Sequence, residues 1–479
     1  MGRENLIFTL SGIRGITGKD FNFNIIKKIA IAYGLWLNGK DKKVIIGKDT
    51  RPSGNKIEKA VIEGLIGTGI EVINLGICPS PIIIYAKKKY GIPGGIIITG
   101  SHNPQEWNGL KLLSTKNFLD KPDLEQISNK LNKIDLDSYP IEKSMIHKHI
   151  EILNPIPDYI QDLYKYIDYK RVKKRNNLRV VVDTGAGAGK IATPQILKGM
   201  GCEVKLLNNN LLVNNIFPRE IEPIEKNLRD LRMEVWQGKY DIGFAHDSDA
   251  DRLAIIGENG VCYPEDIGLA LITEFYLKNN YDPDIEIIIV TNLASSLRFE
   301  AIAEKYNAKV IRTPVGEKFL TDKIDYLIEK KVTKSRKRLV FGGEGSCGGF
   351  IFPYFNNTRD GIFAAAKIIE ILVSTERKIS DLVSTLPRFY SNREKINIKN
   401  SDINLIIELV KQELSEEGEE VNQIDLDLRF GKGKEWFVLI HPSNTEPIIR
   451  VISEAKRKSL ARVYCEATAE LIRLIISKM

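Results

Sequence analysis

One pattern occurs three times along the chain: an apolar, β-branched run, a polar or glycine turn, a stretch of helical spacing, and a second short apolar run. The first copy reads VIIGKDTRPSG, a helix over 57–67, then EVINLG; the second reads VVVDTGAGAG, a helix over 192–201, then EVKLLN; the third reads IIIVTNLASS, a helix over 297–306, then KVIRTPVG. Strand, helix and strand in this order form crossover units, which predict mainly parallel sheets covered by helices on both faces. The chain is therefore expected to be α/β, with three similar α/β/α domains built on mainly parallel, mixed sheets. Past about Thr375 the pattern changes to a polar stretch, a helix over 405–416, the strand WFVLI and a final helix over 459–478, which predicts a separate α+β domain. The expected division is 1–153, 154–257, 258–375 and 376–479, with linkers at 140–157, in the basic run 170–179, and at 375–397.

The length of 479 residues accommodates several domains, and 43% hydrophobic with 28% charged residues is the balance of a soluble globular protein. The first ten residues carry no run fit for a signal peptide and no later stretch is long enough to span a bilayer, so a cytoplasmic protein with no membrane partner is expected. The five cysteines are scattered and form no C-x-x-C pair, which argues against a disulfide framework or a zinc site. Lys and Arg exceed Asp and Glu by 70 to 62. The densest basic run, KRVKKRNNLR at 170–179, has no interleaved aromatics and reads as a solvated linker, so no nucleic-acid partner is expected.

Open α/β sheets bind ligands beyond the carboxyl ends of their strands, which directs attention to the loops in GGIIITGSHNP, YDIGFAHDSDAD and RLVFGGEGSCGG. In the first, Ser101 follows Gly100 on a turn straight after an apolar strand. It is a candidate nucleophile, although a capping serine in a plain turn fits this loop alone equally well. It is no G-x-S-x-G elbow, since Thr99 and Asn103 stand where that motif needs glycine. In the second, Asp247, Asp249 and Asp251 alternate, so one cation can collect oxygens from all three, and carboxylates imply Mg²⁺. In the third, Glu344 and Ser346 lie among glycines, an acceptor and a hydroxyl suited to sugar hydroxyls, although a glycine-rich turn with no ligand fits this loop alone at least as well. Two further segments offer groups suited to an anion, His441, Ser443, Asn444 and Thr445 with Arg450 close behind, and Arg14 between glycines, although a capped turn and a surface turn fit them equally well.

In this order, S-G-I-R-G, T-G-S-H-N-P, D-x-D-x-D-R, G-E-x-S and P-S-N-T-E-P resemble the motifs of the α-D-phosphohexomutase superfamily over nearly the whole chain. The resemblance implies three similar α/β layers and a last domain resembling the TATA-box-binding-protein fold, around a central cleft. It implies a phosphohexomutase that interconverts hexose 6-phosphate and hexose 1-phosphate through a phosphoserine, with Mg²⁺ and a hexose 1,6-bisphosphate as intermediate and activator. Its partner would be a small phosphosugar, with monomer and homodimer both open. By resemblance Ser101 is the phosphoserine and, with Asp247, Asp249 and Asp251, a metal ligand. Arg14, His102, Lys111 and Arg252 surround the transferring phosphoryl group. Lys111 matches the position assigned general acid/base work, which a basic, partly desolvated cleft would favour by lowering its pKa. Glu344 and Ser346 read the sugar, Gly316 and Lys318 belong to a second sugar-facing loop with Glu317, and His441, Ser443, Asn444, Thr445 and Arg450 hold the non-reacting phosphate.

The chain departs from the family at His441, where arginine is usual: histidine offers single contacts and loses its charge near neutrality, so a weaker grip at higher pH is expected unless Arg450 compensates. GGEGSCGG and EWNGLK lean slightly toward phosphoglucosamine mutases, and TGSHNP toward phosphomannomutase/phosphoglucomutase. Two rival readings remain. A haloacid-dehalogenase-like phosphatase also uses D-x-D but gives Ser101 no role, and a non-catalytic sugar-phosphate-binding protein would have lost the nucleophile or a metal ligand.

Overall fold

The apolar run Lys43–Lys48 is a strand whose last five residues are all buried, as a strand covered on both faces must be. It runs parallel to Glu71–Ile77 and Gly94–Ile98, with Ile45 level with Ile73 and Gly95. The protein is described by a computed structural model, in which residues 6–37, 42–140, 149–280, 282–330, 337–398, 402–443 and 447–479 are placed. Ile150–Ile152 adds a parallel strand at one edge, while Trp107–Leu113, Gly12–Ile16 and Ile7–Thr9 extend the other edge antiparallel into a mixed seven-stranded sheet. Helices Phe23–Leu37, Gly54–Ile66 and Lys121–Leu131 bury their apolar sides in the core of this sheet.

The second sheet has Glu203–Leu207, Arg179–Asp183 and Ile242–Ala245 in parallel and Ala254–Gly257 antiparallel at its edge. The antiparallel returns Trp107–Leu113 and Ala254–Gly257 do the same thing in the two sheets. Each lets the chain leave a buried parallel strand, pass through a polar loop and come straight back, so a loop tip is held at both ends.

The chain divides into two compact units. The first comprises Met1–Gly268 and Cys347–Leu382, the latter carrying the hairpin Gly349–Phe352 with Asn356–Arg359 and the helix Gly361–Thr375. That helix is buried on nearly every side, as its composition GIFAAAKIIEILVST requires, and its two buried charges, Lys367 and Glu370, pair at 2.8 Å. The second unit comprises Leu269–Ser346 and Val383–Met479. In it Lys309–Thr313, Ile285–Asn292 and Lys337–Glu344 run parallel. Its other sheet is antiparallel throughout, in the order Tyr390–Asn397, Ile448–Ala455, Trp436–Pro442, Asp427–Lys432, Asn422–Ile424, with helices Ile403–Glu416 and Lys458–Lys478 over one core.

Two expected linkers are structured instead. The basic run is a short helix, Tyr169–Arg175, started by the Asp168 side chain accepting from the Arg171 amide and followed by the strand from Arg179. Val172 is its one buried residue, which anchors a turn that otherwise presents cations to solvent. The segment 375–397 holds the helix Ile379–Thr385 and the strand Tyr390–Asn397. Of the expected linker at 140–157, residues 141–148 lie outside the described residues. Among the described residues no helix is long and apolar enough to cross a membrane.

Candidate active site

Ser101 sits where the strand Gly94–Ile98 gives way to the return strand Trp107–Leu113, with φ of 49°, a left-handed conformation that costs a side-chain-bearing residue energy. The surroundings that hold it there start from Arg51, which no sequence motif singled out. Its fully buried guanidinium donates to the carbonyls of Ser101 (2.8 Å), Asn103 (2.7 Å), Pro104 (2.6 Å) and Trp107 (2.9 Å) and to the carboxylate of Asp49 (3.1 Å). Gly100 is required by this seat, since a Cβ there would fall 2.5 Å from the Arg51 guanidinium carbon. Thr99 donates to Asp49 (2.7 Å) and accepts the Ser101 amide (2.8 Å). The result is a serine 1% exposed whose hydroxyl lies 3.3 Å from an Asp247 carboxylate oxygen.

The acidic loop meets Ser101 from the second sheet. His246, at the end of Ile242–Ala245, spans the loop's base: Nδ1 donates to the Arg252 carbonyl (2.8 Å) and Nε2 accepts from the Thr193 hydroxyl (3.0 Å). Burial lowers its pKa to about 4, so the ring is neutral and acts as a spacer. Ser248 places its hydroxyl 2.8 Å from Asp49 and 2.7 Å from the Ser101 carbonyl, donating to one at a time and joining the two loops. Asp249 accepts from the Ser80 hydroxyl (2.6 Å) and from Lys111 (2.9 Å), and Asp251 from Lys111 (3.1 Å) and Arg359 (2.6 Å).

Each carboxylate keeps one buried oxygen, Oδ1 of Asp247, Asp249 and Asp251, with no hydrogen-bond partner, and the three residues offer oxygens within 4.8 Å of one another. Buried acceptors are ordinarily satisfied. Three buried carboxylates close enough to share one ion, each with an oxygen left unsatisfied, fit a divalent cation such as Mg²⁺. The environments of the three differ. Burial, then the charges of Asp251 and Asp249, push the Asp247 carboxyl well above its usual range. Burial acts the same way on Asp251, but Arg359, Lys111 and Arg252 overcome it and hold that carboxyl well below.

The cations of the first unit gather around these loops. Arg252 donates to His102 Nδ1 (2.8 Å) and Glu222 (3.3 Å), and Arg14 donates to the Asn103 side chain (2.7 Å). The charge of Arg252, then burial, then Arg14 lower the His102 pKa well below the ordinary value, so His102 enters this group as a neutral acceptor. Lys111 departs from the surroundings expected of it. A basic cleft would favour its neutral form, yet its buried ammonium lies between two carboxylates, because the antiparallel return strand aims it across the sheet edge at the acidic loop.

In the second unit Glu344 ends the strand Lys337–Glu344, and Ser346 follows on a short turn. Asn292 donates to Glu344 (2.9 Å) and Ser346 (3.3 Å), and its own oxygen accepts from Ser295 (2.7 Å). Gly316, at φ of 135°, turns the chain into the helix Glu317–Glu329, where Lys318 pairs with Asp322 at 2.8 Å. In the tail sheet His441 and Arg450 are directly opposite each other on paired strands, and the Ser443 amide closes the turn onto the Ile448 carbonyl (2.9 Å). Asn444 and Thr445 lie outside the described residues. Sequence reasoning missed Arg51, Asp49, Ser80, Ser248, His246, Arg359 and Asn292. For Asp49 and Arg51 a signal was present, since K-D-T-R follows a buried strand as the three chosen loops do.

Comparison with known proteins matches the phosphoglucomutase/phosphomannomutase α/β/α domains I, II and III to residues 5–138, 157–260 and 264–390. A phosphoglucomutase/phosphomannomutase of Thermococcus kodakarensis is 34% identical, covering 97% of this chain and 98% of its own length. A probable phosphoglucosamine mutase of the same organism is 33% identical, over 98% of this chain and 99% of its own. Among solved structures, a phosphoglucomutase/phosphomannomutase family protein from Burkholderia thailandensis shares the fold with a TM-score of 0.79 at 22% identity, over 98% of this chain and 97% of its own.

Proposed function

Because the chain belongs to the phosphoglucomutase/phosphomannomutase family, a family of phosphohexomutases that is generally Mg²⁺-dependent, we propose that Ser101 is its phosphoryl carrier and that hexosamine phosphate is its preferred substrate. The observation that carries this is a buried serine in a left-handed turn, its hydroxyl against a cluster of three carboxylates with unused oxygens. The naming of a relative as a probable phosphoglucosamine mutase, together with the GGEGSCGG and EWNGLK loops, supports glucosamine phosphate. Glucose and mannose phosphates are the alternative.

Phospho-Ser101 donates its phosphoryl group to the free 1- or 6-hydroxyl of a hexose monophosphate: the bond from phosphorus to Ser101 Oγ breaks as the bond to the sugar oxygen forms. The 1,6-bisphosphate then turns end for end and returns its other phosphoryl group to Ser101. Transfer of this kind is catalysed by positioning and by neutralising the equatorial oxygens, the work we assign to Arg14 and Arg252. Asp247, Asp249, Asp251 and Ser101 would hold Mg²⁺, which when bound supplies further neutralisation of the phosphoryl oxygens. We assign the accompanying proton to Lys111, whose ammonium would give one to Ser101 Oγ and take one from the attacking sugar hydroxyl, and the reverse on return. We assign Glu344, Ser346, Gly316 and Lys318 to the sugar hydroxyls, and His441, Ser443, Asn444, Thr445 and Arg450 to the non-reacting phosphate.

Turnover of glucosamine, glucose and mannose 1-phosphates, with Mg²⁺ and a trace of the matching 1,6-bisphosphate, tests the reading. The wild type should isomerise glucosamine phosphate fastest, and Ser101→Ala should lose most of that rate. Equal turnover by Ser101→Ala would remove the phosphoserine.

A further inference from the structure

The tail sheet carries a row of charged residues that alternation places on one face. Leu428, Ile440, Ile449, Val451 and Ile396 point into the core under the two helices. Asp427, His441, Arg450 and Lys395 are their sequence neighbours and point the other way. Strand pairing sets these four in one line: Lys395 is opposite Arg450, Arg450 is opposite His441, and the pairing of Leu428 with Ile440 brings Asp427 opposite His441. The row is three basic side chains ended by one carboxylate.

That carboxylate is bonded to the ring beside it. His441 Nδ1 lies 2.6 Å from Asp427 Oδ1, with side-chain exposures of 13% and 10%. A distance this short marks a strong, charge-assisted bond, and a carboxylate so far removed from water is costly unless it accepts one. Since a carboxylate only accepts, Nδ1 carries the hydrogen, and Nε2 is the ring nitrogen left for another partner.

We propose that Asp427 is the positioning residue that lets His441 stand where the family usually has arginine, holding the ring through Nδ1 so that Nε2 is presented to the non-reacting phosphate of a hexose phosphate. The inference rests on the phosphohexomutase reading. An arginine needs no such help, because its planar fork is permanently charged and binds phosphate through two donors. A histidine has one donor to give, a ring free to turn, and a charge that comes and goes. A carboxylate on the far nitrogen fixes the turn of the ring and its tautomer, as carboxylates do for imidazoles elsewhere.

The test compares Asp427→Asn, His441→Arg and the double variant by steady-state kinetics, by calorimetric binding of glucosamine 6-phosphate and by thermal unfolding. Asp427→Asn should raise KM and Kd about tenfold, the effect of one hydrogen bond to a charged group, and change kcat less than about twofold. The double variant should bind within about twofold of His441→Arg, because arginine does not depend on the carboxylate. Binding by Asp427→Asn as tight as wild type overturns the proposal. So does a double variant as weak as Asp427→Asn with an equally lowered unfolding midpoint, which would make Asp427 merely structural. A wild type that binds the phosphosugar without isomerising it sinks the mutase reading and leaves the dyad to be judged by the calorimetry. One that neither binds nor isomerises overturns both.

Discussion

Arg51 shows how a residue that does not touch the Ser101 hydroxyl can fix the backbone that carries it. Five hydrogen bonds leave its guanidinium from a site with no exposed side-chain surface, and four of them end on the carbonyls of the Ser101 loop. Arg51→Lys keeps the charge beside Asp49 but has a point donor in place of a fork. We expect kcat to fall about a hundredfold, the scale on which small misplacements act, with KM little changed. Stoichiometric loading of Ser101 read by intact mass, together with a normal kcat, would show that the loop does not depend on Arg51. At this scale the sequence was most informative about the groups proposed to react and least about their supports. The three aspartates stand out by residue type and spacing, and Ser101 by its place in the T-G-S-H-N-P motif. Arg359 and Ser80 do not, because they reach Asp251 and Asp249 across 108 and 169 residues.

At the scale of elements, periodicity revealed the repeated strand–helix–strand units and hid what charge obscures. The run at 170–179 reads as solvated because it is dense in cations and has no interleaved aromatics, yet one buried Val172 and an Asp168 cap suffice for a helix. A cap elsewhere carries a pH dependence. Asp360 begins the helix Gly361–Thr375, accepting from the Phe363 amide (2.9 Å) and the Tyr159 hydroxyl (2.7 Å), and burial pushes its carboxyl up to about 6. An aspartate in the unfolded chain titrates near 4, so the native state holds a proton that unfolding releases between these values. Its contribution to stability is complete below about pH 4 and is lost as pH rises through about 6, a difference on the order of 3 kcal/mol. Asp360→Asn cannot titrate, and denaturant unfolding between pH 4 and 7 should show a flatter pH profile for it than for wild type. An unchanged slope would place the titrating group elsewhere.

For the molecule as a whole, three buried carboxylates with unpaired oxygens make native stability responsive to a cation that binds the folded form alone. At a hundredfold excess over its Kd, Mg²⁺ should stabilise the protein by about 2.7 kcal/mol. Thermal unfolding with Mg²⁺ or with EDTA checks this, and Asp249→Asn should lose most of the shift; a midpoint indifferent to Mg²⁺ would count against the site. The same cluster was legible in the sequence as a spacing, whereas its joining to the Ser101 loop was not, since Asp247, Ser248 and Arg252 meet that loop only in the folded chain. Ser248 reaches the Ser101 carbonyl from 147 residues further along the chain. At roughly 5–20 residues per second, a ribosome needs on the order of ten seconds to bridge that interval. Throughout it Ser101 has left the peptidyl transferase centre while the aspartate loop that faces it has yet to be made. For that period of its synthesis the serine we propose as phosphoryl carrier is an ordinary residue on a nascent chain.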